Sequence, residues 1–312
     1  MWVGYASRPL TVRELEQCVC QRLPEGSRDR IPNFAQTLGT WSGALLELAP
    51  DATVQYIHIS VLDYLNGLAT HSLLQAASPR GDIARQFGHH KPVGHLKLAI
   101  YCLDYINNDV DAGPLSGSPQ VSPSQELQNR RFPMLNYAVT QWPKHFCEAL
   151  QSGVGQTNSE TEQFFGELLS HLDVFLCSRE RVTTWIEASW LLASGPDLCG
   201  LSEEMGRVLE MEALVRSQHW QELRDLTDRL QGLAKDLTRL RESWSRVLAA
   251  SPNEIWEPSI PAFTQSDHWV ATRDCKVDTA VVEGQHHDSI LIASQVSHDG
   301  LELAQLRLFP PR

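Results

Sequence analysis

Long stretches of this chain repeat their apolar residues at three- and four-residue steps, and two-residue alternation appears only in short runs, so the pattern predicts a mainly α protein. Thr11 and Glu14 are spaced as a capping box, and Val12, Leu15, Val19 and Leu23 follow as the stripe of a first helix that stops at Pro24-Glu25-Gly26. Phe34, Leu38, Trp41, Leu45 and Leu46 mark a second helix, which Gly39 and Gly43 weaken, and Leu45–Leu48 can equally be read as strand. Pro50-Asp51-Ala52 is a hairpin turn into Val54–Ile59, a strand that carries His58 at its end and leads straight into a helix. Ser60 stands at the N-cap of that helix, Asp63 completes the box, and Val61, Leu62, Tyr64 and Leu65 form its apolar side. Helices, strand-turn-strand and a closing helix over residues 1–72 amount to a winged-helix domain.

Residues 83–150 read as a helical arm. Leu96, Leu98, Ala99, Ile100, Cys102, Leu103 and Ile106 place a helix over 93–107. The loop 108–128 follows, and its Asp109–Gln125 stretch holds three prolines, two glycines and four serines, too polar to bury. Pro133 opens the next helix, and Pro143, which has no N–H to donate, should split it into two short helices meeting at Trp142. Phe132, Tyr137, Trp142 and Phe146, together with Tyr64, are expected to form the structural core between the winged helix and the arm.

Residues 155–250 read as a helical bundle with a long hairpin. Ser159 and Glu162 cap a helix that turns Phe164, Phe165, Leu168, Leu169, Leu172, Phe175 and Leu176 inward. Leu223, Leu226, Leu230, Leu233, Leu237, Leu240, Trp244 and Val247 then make a heptad seam. Such an edge needs a partner: either a helix over 206–218 in the same chain, or a second copy, with Leu226, Leu230, Leu233, Leu237 and Leu240 as the dimer contact. Residues 253–312 read as a small antiparallel β region, with strands at 268–272, 277–282, 289–296 and 301–308 and a hairpin turn at Asp299-Gly300. Ser297–Ala304 is similar to the turn of a β-propeller blade, so the strands belong either to a truncated propeller or to a small sheet of their own.

Composition narrows the function classes. A net charge of −12, from 38 acidic against 26 basic residues, repels phosphate backbones and anionic lipid. The candidate recognition helix, 33–46, contains no basic residue, which argues against nucleic acid as a partner. Seven scattered cysteines suit a reduced, cytoplasmic protein. No apolar run approaches about 18 residues, so no membrane span is expected. The chain carries no phosphate-cradling G-x-x-x-x-G-K-[ST] loop, no serine elbow and no H-E-x-x-H helix, and no catalysis is expected. Cys18 and Cys20, two apart on a helix, point about 200° from each other and do not make a metal site. His89-His90 and His286-His287 read as solvated loop histidines.

Trp2-Val3, Ala6–Leu15, the Ile57-His58 corner and Phe132–Phe146 resemble fungal NACHT-type receptor-like proteins, the signalling ATPases of vegetative incompatibility and innate immunity. The likeness is to the region after the ATPase, a winged-helix module of the kind also named after GPI inositol-deacylase, followed by a helical arm. Leu96–Tyr105 and Asn253–Pro261 add to it. The resemblance implies a regulator that couples nucleotide state to a C-terminal sensor of ankyrin or propeller repeats, with protein partners and an upstream NACHT domain. It implies that His58 meets the β-phosphate of ADP, so that ADP or ATP would be a cofactor only in a longer parent protein. Ile59 stands where the family has an aspartate, and the competing role for His58 is structural, bonded to a backbone carbonyl. The opening Trp2-Val3 looks like the last turn of a helix, so the natural domain is expected to begin before Met1.

Overall fold

Thr11 and Glu14 exchange bonds as their spacing dictates: Glu14 N–H donates to Thr11 Oγ1 (3.3 Å) and Thr11 N–H to Glu14 Oε2 (2.8 Å). Arg8 grips the same carboxylate with both Nη atoms, at 3.0 and 2.6 Å, which lets Glu14 sit buried. In this computed structural model the residues described are 1–20, 31–43, 45–65, 91–152, 159–192, 195–210, 220–256, 260 and 266–270, with the strand backbones 290–296 and 303–308. The N-terminal unit runs α1 (Trp2–Tyr5), β1 (Leu10–Thr11), α2 (Val12–Cys20), α3 (Phe34–Trp41), β2 (Leu46–Leu48), β3 (Thr53–Tyr56) and α4 (59–65 among the described residues). Its three strands pair antiparallel in the order β1-β3-β2, and Val54, on the central strand opposite Leu10 and Leu48, is buried. The β2–β3 turn closes where Ala52 takes φ +64° and Asp51 Oδ1 accepts from Thr53 N–H at 3.0 Å.

The rest of the chain is mainly helical: α5 (Lys91–Asp104) running into a π-turn (Tyr105–Asp109), α6 (Gln125–Arg131), α7 (Leu135–Gln151), α8 (Ser159–Cys177), α9 (Arg179–Leu192), α10 (Cys199–Leu209) and α11 (Trp220–Ala250). A 3-10 turn (Pro252–Trp256) and the antiparallel strands β4 (Ile290–Val296) and β5 (Leu303–Leu308) complete it. α5 packs against α1, α7 and α8, which explains why it is apolar nearly all round. No helix among the described residues is long and apolar enough to cross a membrane.

Pro143 does not divide its helix: α7 is continuous from Leu135 to Gln151. The ring leaves the carbonyl four residues back, on Val139, without an intrahelical donor. The indole Nε1 of Trp185 in α9 donates to that carbonyl at 3.1 Å, so the cost of the proline is offset by a bond from another helix. Trp185→Phe should therefore cost about 1–2 kcal/mol. In a Pro143→Ala background the restored backbone N–H can donate to the Val139 carbonyl itself and the penalty should shrink, a coupling that urea unfolding of the double-mutant cycle measures.

The loop 108–128, expected to be unburied, is pinned along its length. Gly113 N–H donates to Thr184 Oγ1 (2.9 Å), Leu115 N–H to Glu187 Oε2 (2.9 Å), Gln128 Nε2 to the Leu115 carbonyl (2.8 Å) and Asn253 Nδ2 to the Pro119 carbonyl (2.8 Å). Val110 and Leu115 are buried. Scattered apolar residues and backbone groups that meet partners on α9 explain how so polar a segment becomes ordered. Glu187 Oε2 also accepts from Trp256 Nε1 at 2.8 Å, and burial pushes its carboxyl above the usual carboxylate range.

The heptad seam is used within the chain. Leu223, Leu226, Leu230, Leu233, Leu237 and Leu240 are buried, and α11 packs against α8, α9 and α10. Among the described residues the hairpin partner is α10, which includes 206–209 of the helix expected over 206–218; residues 211–218 lie outside the described residues. α10 runs antiparallel to α11: Cys199 Sγ is 3.7 Å from Thr238 Oγ1, while a Cβ on Gly206 would stand 3.5 Å from Gln231 Nε2. Of the strand expected at 268–272, residues 271–272 lie outside the described residues, and 267–269 form a bend, with Trp269 fully buried, Ser266 Oγ on Asp236 (2.7 Å) and Val270 N–H on Thr183 Oγ1 (3.0 Å). The strand expected at 277–282, the Asp299-Gly300 turn and both histidine pairs lie outside the described residues.

Candidate functional site

Large apolar side chains stay exposed mainly in one stretch of the described residues: Trp41, Leu45, Leu48, Ile57, Ile59 and Tyr64 all lie in the N-terminal unit. Ile57 N–H donates to the Leu45 carbonyl at 3.1 Å, which extends the β2–β3 ladder by one rung and sets these two side chains side by side on the hairpin's outer face. Glu47 and Gln55 continue that face, joined at 2.8 Å. Residues 31–65 contain Glu47, Asp51 and Asp63 but no lysine or arginine, so the charge in this stretch is acidic. Single exposed apolar residues are ordinary, whereas contiguous patches of them are the kind of surface that meets a protein, a membrane or a ligand.

His58 stands at the turn between β3 and α4, exposed beside this face. Its Nδ1 accepts the Ser60 backbone N–H at 3.1 Å and lies 2.8 Å from Ser60 Oγ. The imidazole thus caps α4, in place of Ser60 and of the expected bond to a backbone carbonyl, because the helix begins one residue before Ser60. Tyr64 does not join the core: it is 66% exposed. α4 turns Leu62 inward over Gly4, where a Cβ would lie 3.3 Å from Leu62 Cδ1, and two further residues rotate Tyr64 by about 200° toward solvent.

Phe132, Tyr137, Trp142 and Phe146 are all buried, and Tyr137 reaches the N-terminal unit through Ser7. Trp142 packs on Phe175 (5.7 Å between centroids) and Trp185 (6.0 Å), and Phe146 on Phe165 (6.4 Å), all from α8 and α9. The π-face of Tyr137 lies under the Arg8 guanidinium at 5.2 Å, with the edge of Trp2 at 6.1 Å. Leu226, Leu230, Leu233, Leu237 and Leu240 are not on offer to a second chain, since the hairpin and bundle already cover them.

Behind the exposed face, a line of polar groups joins the N-terminal unit to α5 and α7. Ser7 N–H donates to Tyr137 Oη at 3.1 Å, Tyr137 Oη is 2.7 Å from His145 Nε2, and His145 Nδ1 is 3.0 Å from His95 Nδ1. Bonding assigns the protons: Tyr137 accepts from Ser7 and donates to His145 Nε2, so His145 Nδ1–H donates to His95 Nδ1. The Tyr5 ring seats on His95 at 5.6 Å, and it lies so close to Gly94 that a Cβ there would meet its Cδ2 at 2.7 Å. Burial, and then the neighbouring His95, push the His145 imidazole down to about 3. Burial likewise lowers His95 and raises the Tyr137 hydroxyl. Sequence reasoning missed both histidines. The available signal was His95 itself, a titratable residue within the apolar run 93–103.

Cys18 and Cys20 are buried apart from any ligand set, with Cys18 Sγ 3.4 Å from Met134 Sδ. Among the described residues no group of three or more His, Cys, Asp or Glu is arranged to hold a metal ion. Searches against protein-family models, curated proteins and solved structures find no match to the chain.

Proposed function

We propose that the chain is a non-catalytic protein-interaction module of a NACHT-type signalling ATPase, acting in the cytoplasm, in which the N-terminal unit is a winged helix that meets a nucleotide-binding domain and passes its state to the helical arm. The observation that carries this reading is the concentration of exposed apolar side chains in the N-terminal unit, Trp41, Leu45, Leu48, Ile57, Ile59 and Tyr64, with Leu45 and Ile57 side by side next to His58. The element order and the strand order β1-β3-β2 support the winged-helix assignment, since that fold interleaves its helices and strands in this way. α3 has no basic residue and its surroundings are acidic, which favours a protein over a nucleic acid as its ligand. The stand-alone adaptor that dimerises through the 223–247 seam is the weaker alternative, because its contact leucines are already buried.

The test is photo-crosslinking from position 57, with a benzophenone amino acid in place of Ile57, in protein made from the complete gene. Crosslinks are expected to reach a P-loop nucleotide-binding domain, in the same chain or in a partner. Leu45→Ser with Trp41→Ser should abolish them while changing stability by no more than about 0.5 kcal/mol per site. Crosslinks confined to residues 1–312 would overturn the proposal.

A further inference from the structure

We propose that the His95–His145 pair is a proton-operated latch, which fastens residues 1–11 to the helical body at neutral pH and releases them in acid. In the neutral pair one hydrogen lies between the two Nδ1 atoms, 3.0 Å apart. A proton taken up from solvent goes to His145 Nε2, where it displaces the Tyr137 hydroxyl hydrogen, or to His95 Nδ1, where it points at His145 Nδ1–H. The collision is avoided if His145 moves its hydrogen to Nε2 and donates to Tyr137 Oη. That oxygen would then accept from both His145 and the Ser7 amide, and the Tyr137 hydroxyl hydrogen would have to turn away from His145 toward the Ser7 hydroxyl. Either way one added proton rearranges the bonds of the series, and the series ends on Ser7.

The surroundings offer the imidazolium little compensation. The segment 1–8 presents Tyr5 and the Arg8 cation, α2 presents Cys18, and β3 adds Tyr56 through Tyr5. α5 presents Lys91 and Cys102, and α7 presents Lys144 and Glu148. Glu148 is the anion that favours a charge on His95, and Lys91 already holds it at 3.3 Å. Both histidines are lowered from an ordinary value near 6.5, so the stability they lend is fully present above about pH 6.5 and is lost as pH falls toward their folded values. Tyr5 against Gly94 and Ser7 on Tyr137 lie on this seam, so the loss falls there first.

Hydrogen exchange read by mass spectrometry on the whole chain tests the latch. After correction for intrinsic rates, amides of residues 2–11, the Ser7 amide above all, should exchange about tenfold or more faster at about pH 5 than at pH 7.5, the factor of one pKa unit. Peptides from 165–190 should hold their protection over the same range. His95→Asn can still accept from His145 but does not titrate there, and it should abolish the acid sensitivity of residues 2–11. Equal protection at both pH values would overturn the proposal, as would loss in step with 165–190 or an unchanged response in His95→Asn. Should that variant fail to fold, the comparison of the two wild-type peptides decides by itself.

Discussion

Trp142→Ala lowers the stability of the chain by about 3–5 kcal/mol, the range for emptying a large aromatic site that cannot collapse. Three rings from three helices meet there: Trp142 of α7, Phe175 of α8 and Trp185 of α9, with Phe175 and Trp185 edge to face at 5.6 Å. All three are buried, and the bond from Trp185 to Val139 holds the facing wall in place, so the remaining two rings cannot slide into the void. Trp142 Nε1 has no acceptor among the described residues, so Trp142→Phe loses area but no hydrogen bond and should retain most of the stability. Urea unfolding of the two variants is the measurement, and a near-neutral alanine variant would mean that the triangle is not the centre of the bundle.

Glu187→Leu is expected to cost about 2–4 kcal/mol near pH 7, because it leaves the Leu115 N–H and the Trp256 indole N–H unpaired, each worth about 1–3 kcal/mol when buried. Glu187→Gln should be near neutral or stabilising at the same pH: its carbonyl can accept both bonds, and no charge has to be desolvated. The sign of the pH dependence follows from the raised carboxyl. Its favourable contribution is present below the ordinary carboxylate value near 4.3 and declines as pH rises through the folded value. The wild type should therefore gain on Glu187→Gln as pH falls from 7 to about 4. Changes at His95 and His145 are common to both proteins and cancel in that difference.

What was legible in the sequence was what neighbours decide. The Thr11–Glu14 cap, the turn at Asp51-Ala52 and the leucine seam of α11 each need residues only two to seven positions apart, and each formed as its spacing requires. What escaped depends on distant partners. Pro143 looked like a break because its remedy, Trp185, lies 46 residues from Val139. The 108–128 loop looked free because Glu187 and Thr184 are about 70 residues on. His95 and His145 are 50 residues apart and carry no motif that would pair them. Tyr64 turns outward for a local reason: an apolar run on a short helix does not say which side faces in until Leu62 finds Gly4. The seam leucines were recognised as needing cover, but periodicity alone could not choose between α10 and a second molecule.

The carbonyl that Pro143 leaves bare has a role beyond being satisfied. Two helices that meet through side chains of similar shape can slip past each other by a turn at modest cost, since one greasy contact resembles the next. The bare acceptor on α7 facing the Trp185 donor on α9 favours one alignment, because a shift by a helical turn strands both groups. The proline in this way writes an address into an interface that would otherwise carry none.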